Sequence, residues 1–462
     1  MARDVSDTTP ITSRNMLVEW LEAGCKTGSA PLRIGTEHEK IPFYNADNAP
    51  VPYEGAGGRG GVRALLEGLR DALGWAPILD RDALIGLYQS DGGGAISLEP
   101  GGQFELSGAP LPDVHSTRNE LDAHFAALAP VAGALGVGFL DLGASPKWSR
   151  AATPTMPKQR YAIMQAYMPK VGTHGLDMMF RTATVQVNVD FINEADMVQK
   201  MRVGLALQPL FTAMFANSPF LDGAPTGRLS QRSYIWLDTD PDRTGMLPFA
   251  FEEGFGFERY VDYALDVPMY FVKRGDVYHD VAGASFRDLM AGRLQQLPGE
   301  RATMSDWANH LSTIFPEVRL KTYLEMRGAD AGPRAHFTAL PALCAGLLYD
   351  AAALDQAREL TKGWSAAARQ ALRDDVPALA LDAKIEGRSL REIGRDVLAL
   401  ANAGLRRRAR LDADGRDETV YLAPLEAILE DGRTLAQQRL DAYYGAWGGA
   451  IDAAFTDCVL PL

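Results

Sequence analysis

Thr184-Val185-Gln186-Val187-Asn188-Val189-Asp190-Phe191 alternates polar and apolar side chains without a fault. Successive side chains of a strand point to opposite faces. Val185, Val187, Val189 and Phe191 therefore share one face, and Thr184, Gln186, Asn188 and Asp190 the other. One apolar and one polar face is the pattern of an antiparallel sheet resting on a core. Taken alone, the polar face reads as a solvated outer wall.

Three neighbouring readings change its meaning. Arg33-Ile34-Gly35-Thr36-Glu37-His38-Glu39-Lys40 sets Glu37 and Glu39 side by side, with His38 on the opposite face. Ile96-Ser97-Leu98-Glu99 passes through Pro100-Gly101-Gly102 into Gln103-Phe104-Glu105-Leu106, placing Glu99, Gln103 and Glu105 together. Tyr323-Leu324-Glu325-Met326-Arg327 projects Glu325 and Arg327 from one side. Neighbouring carboxylates repel and are stable side by side only with a cation or a shared proton between them. Five carboxylates flanked by amide and guanidinium groups suit magnesium, a hard ion that takes oxygen ligands and bridges to phosphates. Unrelated surface glutamates remain the alternative on spacing alone.

Around these strands the chain alternates helix and sheet irregularly. Residues 62–75 carry Val62, Leu65, Leu66, Leu69 and Leu73 on one helical face. Residues 197–216 read as a helix kinked at Pro209 and stopped by Asn217-Ser218-Pro219. From about Ala342 the text turns Ala- and Leu-rich with helical spacing. The expected organisation is a sheet-bearing catalytic part, residues 1–330, and a helical flank, 331–462, packed on the same body across a soft boundary.

Composition narrows the class of function. The chain has 462 residues, 47% hydrophobic and 23% charged, too apolar for a disordered protein and long enough to bury a large core unaided. Lys plus Arg number 46 against 59 Asp plus Glu, a net charge of −13. Such a surface repels nucleic acid and anionic lipid unless a local basic patch overrides it. The longest uncharged stretch, 203–221, is interrupted by Gln208, Pro209, Asn217, Ser218 and Pro219, short of the ~20 apolar residues that span a bilayer. The opening MARDVSDTTP has no basic end leading into an apolar segment, so no secretion signal is expected. Cys25, Cys344 and Cys458 are scattered and odd in number, which fits a reducing cytoplasm better than a disulfide framework.

Several common motifs are absent or fail in context. There is no GxxxxGK[ST] loop and no HExxH. Gly55-Ala56-Gly57-Gly58-Arg59-Gly60 satisfies GxGxxG, but its lead-in, Ala49-Pro50-Val51-Pro52-Tyr53-Glu54, is no hydrophobic strand. Asp412-Ala413-Asp414-Gly415 places its glycine too early for a calcium loop. Arg406-Arg407-Arg408 suits the C-terminal end of a helix, where cations oppose the dipole.

The acidic segments are also where the chain resembles a known family. Thr36-Glu37-His38-Glu39-Lys40, Gly94-Ala95-Ile96-Ser97-Leu98-Glu99-Pro100-Gly101-Gly102-Gln103-Phe104-Glu105-Leu106 and Leu324-Glu325-Met326-Arg327-Gly328-Ala329-Asp330 resemble the plant-like glutamate–cysteine ligases found in many proteobacteria. Met156-Pro157-Lys158, Tyr167-Met168-Pro169-Lys170-Val171-Gly172, Ala216-Asn217-Ser218-Pro219-Phe220 and Asp266-Val267-Pro268-Met269-Tyr270-Phe271 extend the likeness over almost the whole length.

The resemblance implies an α+β, glutamine-synthetase-like fold, a curved antiparallel sheet forming a funnel with flanking helices. It implies ATP-dependent joining of the L-glutamate side-chain carboxylate to L-cysteine through γ-glutamyl phosphate, the first step toward glutathione. Magnesium would be the cofactor, held by Glu37, Glu39, Glu99, Glu105 and Glu325, with Gln186 and Asn188 assisting. Arg327 would lie beside the transferring phosphoryl group, and Arg160, Arg232 and Tyr270 would bind substrate. Implied partners are ATP, L-glutamate and L-cysteine, with no nucleic acid and no membrane; a homodimer is left open. Rival readings are a same-fold ligase with another acceptor amine, a guanidino-type phosphotransferase, and a non-catalytic metal-binding protein.

Two departures from the family pattern stand out. Val281 and Gln296 occupy the places of a redox-sensitive disulfide, implying no thiol switch there. Ala331-Gly332-Pro333-Arg334 replaces the family's Gly-Gly-Pro-Trp, which puts nucleotide or acceptor contacts near Arg334 in question.

Overall fold

The computed structural model describes residues 7–28 and 30–462. The first six residues, part of the segment read as lacking a secretion signal, lie outside it. Among the described residues, nine strands form one antiparallel sheet: β1 (Ile34–Tyr44), β2 (Ala76–Asp80), β3 (Ala83–Tyr88), β4 (Ala95–Leu98), β5 (Phe104–Ser107), β6 (Val137–Leu140), β7 (Thr184–Val189), β8 (Val318–Leu320) and β9 (Leu324–Asp330). Their spatial order is β8-β9-β7-β1-β5-β4-β3-β2, and the two ends do not pair, so the sheet is open rather than a closed barrel. β1 pairs with β5 over Glu37–Lys40 and with β6 over Ile41–Tyr44. This change of partner splits one long strand between two neighbours.

The apolar faces predicted from alternation are buried: Val185, Val187 and Val189 are fully covered. What covers them is helical. Helix Arg334–Leu348 carries buried side chains along nearly all its length and packs on β7 and β1. Helix Leu390–Arg408 crosses it where Gly346 meets Gly404; a Cβ on Gly404 would lie 1.9 Å from the Gly346 carbonyl oxygen. Helix Glu194–Met214 backs β9 and contains Pro209. The core is continuous from Phe104 and Val187 through Leu205 to Phe337, Leu343 and Val397. Burial of this extent, at roughly 25 cal/mol per Å² of apolar surface, is the main favourable term. Among the described residues no single helix is long and apolar enough to cross a membrane.

Local signals set the helix limits. Gly74, with φ 67°, ends helix Val62–Leu73 in the left-handed conformation glycine favours. Ser389 and Glu392 form a capping box at the start of Leu390–Arg408. The formal GxGxxG lies in turns before helix Val62–Leu73, and no strand leads into it. Arg407 and Arg408 do end a helix, but they pair with Asp350 and Glu418 rather than only meeting water.

Candidate active site

Sheet register assembles the polar face. Glu39 stands opposite Glu105 on β5, Glu37 opposite Gln186 on β7, and Asn188 opposite Glu325 on β9. Residues paired across strands share a face, so four strands contribute to one polar surface. It is not an outer wall. Helix Gln159–Tyr167 and residues 312–315 line the same cleft, whose empty volume, including its open mouth, is about 860 Å³. Glu37, Glu39, Glu99, Glu105, Gln186, Arg160, Arg232 and Arg327 all line it.

Neighbouring strands hold three of these acids. Glu105 accepts hydrogen bonds from the Ser97 and Ser107 hydroxyls at 2.6 and 2.5 Å. The Thr184 backbone N–H donates to Glu39 at 3.1 Å, and the Asn188 amide donates to Glu37 at 3.0 Å. Glu99 starts the turn between β4 and β5. Gln103 ties that turn down, accepting from the Gly101 N–H at 2.9 Å and donating to the Thr182 carbonyl at 2.8 Å. Burial, and then the charges of Glu99 and Glu105, push the Glu39 carboxyl well above its usual range. Glu99 is raised by burial and by Glu105. None of the four lining carboxylates forms an ion pair with another described residue.

The basic groups are treated differently. Arg232 is 3% exposed; the one hydrogen bond its guanidinium makes to a described residue runs from Nη2 to the Arg327 carbonyl at 2.9 Å, and Nε has no partner. Burial lowers its pKa, but it remains a guanidinium without a bonded acid. Arg327 donates to the Gln186 side chain at 2.7 Å and contacts Glu325. Its aim depends on a bulge: between Met326 and Ala329, Arg327 and Gly328 together oppose Gln186 alone. Bulges beside active sites commonly re-aim a side chain. Gly328 fits there because a Cβ would come within 1.5 Å of Gln208 Nε2. The extra residue also shifts the phase, bringing Asp330 rather than Ala329 opposite Thr184.

Three sequence expectations meet a different geometry. Glu325 does not line the cleft; it is completely buried and salt-bridged by Arg319, Lys321 and Arg327. Burial would raise its pKa, yet these three cations hold it well below the usual range. Its oxygens are committed to side chains, so in this arrangement it organises cations rather than offering a metal a ligand. Tyr270 is also buried off the cleft, bonded to Asp240 at 3.3 Å beneath the Arg243 guanidinium, 3.8 Å from its ring. Arg334 lies away from the site, 4.6 Å from the Phe125 ring, and bonds Asp122 at 2.6 Å. The Asn188 side chain touches the site only through Glu37.

Spacing also missed part of the wall. Tyr161, Met164, Met178, Met179 and Trp236 supply its apolar surface. Trp236 follows Arg232 by one helical turn, a spacing that could have marked it. Arg319, on the short strand β8, reaches the lining although its donors are spent on Glu325 and on the Ser312 and Ile314 carbonyls. His38 lies on the opposite face, stacked 4.5 Å from Phe337.

The donor set fits a hard divalent cation in kind, since oxygen atoms of mutually repelling carboxylates face one space. As the side chains stand, no group of three or more His, Cys, Asp or Glu among the described residues is disposed around one metal position.

A solved glutamate–cysteine ligase from Francisella tularensis, in complex with AMP, shares the fold at a TM-score of 0.54, covering 94% of this chain and 88% of that one. Identity is 10%, so the likeness is one of fold alone. The fold is α+β and glutamine-synthetase-like, with helices packed on an open antiparallel sheet. The chain belongs to glutamate-cysteine ligase family 2, whose profile matches residues 33–457. It is 50% identical over 448 residues to the chloroplastic glutamate–cysteine ligase of Nicotiana tabacum, spanning 97% of this chain and 83% of that one. Against the chloroplastic enzyme of Arabidopsis thaliana it is 51% identical over 450 residues, again 97% and 83%. The protein is therefore a ligase that joins glutamate to cysteine, the first step of glutathione synthesis. These relatives overturn the expectation of a cytoplasmic protein, because they are chloroplastic.

Proposed function

We propose that the cleft performs this ligation in two transfers fed by ATP. A side-chain carboxylate oxygen of glutamate attacks the γ-phosphorus, ADP leaves, and γ-glutamyl phosphate forms. The cysteine amine then attacks the acyl carbon, and inorganic phosphate leaves with that carboxylate oxygen. Phosphorylation is needed because a free carboxylate is a poor acyl donor, and phosphoryl transfer is catalysed chiefly by positioning and charge neutralisation.

The observation that carries this reading is charge kept unpaired on both sides of one cleft. Burial, Glu99 and Glu105 raise the Glu39 carboxyl, burial and Glu105 raise that of Glu99, and Arg232 is buried with no bonded acid. Unpaired buried charge is costly, so its retention points to ligands that complete it. Glu37, Glu39, Glu99 and Glu105 would hold magnesium, with Gln186 and Asn188 steadying them. Bound there, magnesium would supply positive charge that offsets the charge of the nucleotide's phosphates. Glu325's part would be to fix Arg327 and its companions. Arg327 would neutralise charge on the transferring phosphoryl group. Arg232 and Arg160 would host the glutamate α-carboxylate and the acyl phosphate, and Tyr270 would brace the wall behind Thr313.

Every residue lining the cleft lies between Glu37 and Arg327, which supports 1–330 as the catalytic part and 331–462 as its helical support. A plastid compartment fits the chloroplastic relatives better than the cytosol. The test is mass spectrometry of the product from ATP, glutamate and a mixture of cysteine, 2-aminobutyrate and simple amines. γ-Glutamylcysteine should dominate with magnesium and vanish with chelator; a product formed equally well in chelator overturns the magnesium assignment.

A further inference from the structure

Behind the cleft lies a buried knot that the two transfers do not use. Asp330 ends β9 and is completely buried. One of its oxygens accepts from the Asn217 N–H at 2.9 Å and the Ser218 hydroxyl at 2.6 Å, and the other from the Ser230 hydroxyl at 2.9 Å. Burial raises its pKa, while the Arg232 charge and the three donors directed at its two oxygens favour the ionised carboxylate, which only accepts. Gly143 closes the remaining side, where a Cβ would stand 2.5 Å from Asp330 Cγ. The carboxylate thus has one resting orientation.

The two serines lead to Arg232. The Ser218 hydroxyl oxygen accepts from the Arg232 backbone N–H at 3.1 Å. Ser230 caps the same short helix, accepting from the Ser233 N–H at 3.0 Å. Asp330 also acts on Arg232 through its charge, favouring the cation, but it does not bond the guanidinium. Arg232 Nε is left without a partner. A carboxylate in direct contact would occupy the donors that an anion needs. One placed behind two hydroxyls opposes the desolvation of the cation and leaves its fork open.

We infer that Asp330 is a positioning residue for substrate: through Ser218 and Ser230 it fixes and charges Arg232, leaving the guanidinium free to take a carboxylate of glutamate. This rests on the reading of Arg232 as an anion host. The bulge at Arg327–Gly328 is what makes it available, since it brings Asp330 into register with Thr184 on the polar face.

The test is steady-state kinetics on the full chain with glutamate, ATP and cysteine varied in turn, alongside thermal melting. Asp330→Asn keeps the shape and removes the charge. Ser218→Ala keeps the charge and removes the link, and it serves if Asp330→Asn fails to fold. Either variant should raise the glutamate KM by about tenfold, with kcat and the KM values for ATP and cysteine held within about threefold. A lower kcat at unchanged glutamate KM, or a parallel rise in all three KM values, overturns the positioning role. Arg232→Lys separates the two levels. If it leaves the glutamate KM unchanged, the anion-host reading fails and the inference falls with it. If it raises that KM while Asp330→Asn and Ser218→Ala do not, only the role of Asp330 fails.

Discussion

Glu39 on β1 stands directly opposite Glu105 on β5, two acids on one rung of the sheet facing the same cleft. Their repulsion, added to burial, opposes ionisation of Glu39. Above the unfolded pKa the ionised form therefore costs the native state stability until a cation arrives. Glu39→Gln should melt higher than the parent at pH 7.5 in chelator while losing at least ~10²-fold in turnover. A variant that melts lower in chelator, or keeps near-normal turnover, contradicts the assignment.

Arg327 tests the other side of the charge balance. Arg327→Ala should remain soluble and lose ~3 kcal/mol or more of transition-state stabilisation, read as kcat/KM. Near-normal kcat/KM would remove Arg327 from the reaction.

Glu325 is expected to behave unlike the lining acids. Removing its charge leaves Arg319, Lys321 and Arg327 buried around a neutral side chain. Glu325→Gln should therefore destabilise the fold by about 3 kcal/mol in urea unfolding, with or without magnesium. A loss of activity without a loss of stability would instead mark it as a metal ligand.

Val281 is buried and Gln296 exposed at the two positions that the sequence resemblance would give to a disulfide, and Cys25, Cys344 and Cys458 are free. Activity should change by less than about twofold between oxidised and dithiothreitol-treated enzyme, because no thiol pair is present to switch. A larger change locates redox control elsewhere in the chain.

His336 gives a pH signature. Burial lowers its pKa from 6.5 to about 4, and both ring nitrogens lack hydrogen-bond partners. The unfolded chain binds a proton below pH 6.5 that the native state refuses, so stability falls as pH drops from 6.5 toward 4. His336→Phe, against Phe215, removes that proton. Its stability advantage over the parent should grow by about 1.4 kcal/mol per pH unit through that window. A pH-independent difference would contradict the buried neutral imidazole.

Much of the sheet and most of the cleft were legible because period-two alternation survives tertiary packing. The Val185–Val189 face is buried, and Glu37, Glu39, Glu99 and Glu105 meet across strands as alternation predicts. What alternation cannot convey is depth and phase. It placed Glu325 at the cleft although three cations enclose it, since ion-pair partners such as Arg319 come from a short strand with little pattern of its own. It gave no sign of the bulge that re-aims Arg327 and brings Asp330 inward, because one extra residue leaves no compositional trace. Tyr270, quoted from a family motif, lies buried off the cleft and bonded to Asp240.

The most direct measurement follows oxygen. Glutamate labelled with ¹⁸O in its side-chain carboxylate, incubated with ATP, magnesium and cysteine, should pass one labelled oxygen to each phosphate released, seen by mass spectrometry or ³¹P resonance shift. Phosphate free of label would mean that the carboxylate is never phosphorylated, and the chemistry assigned to the cleft would be wrong.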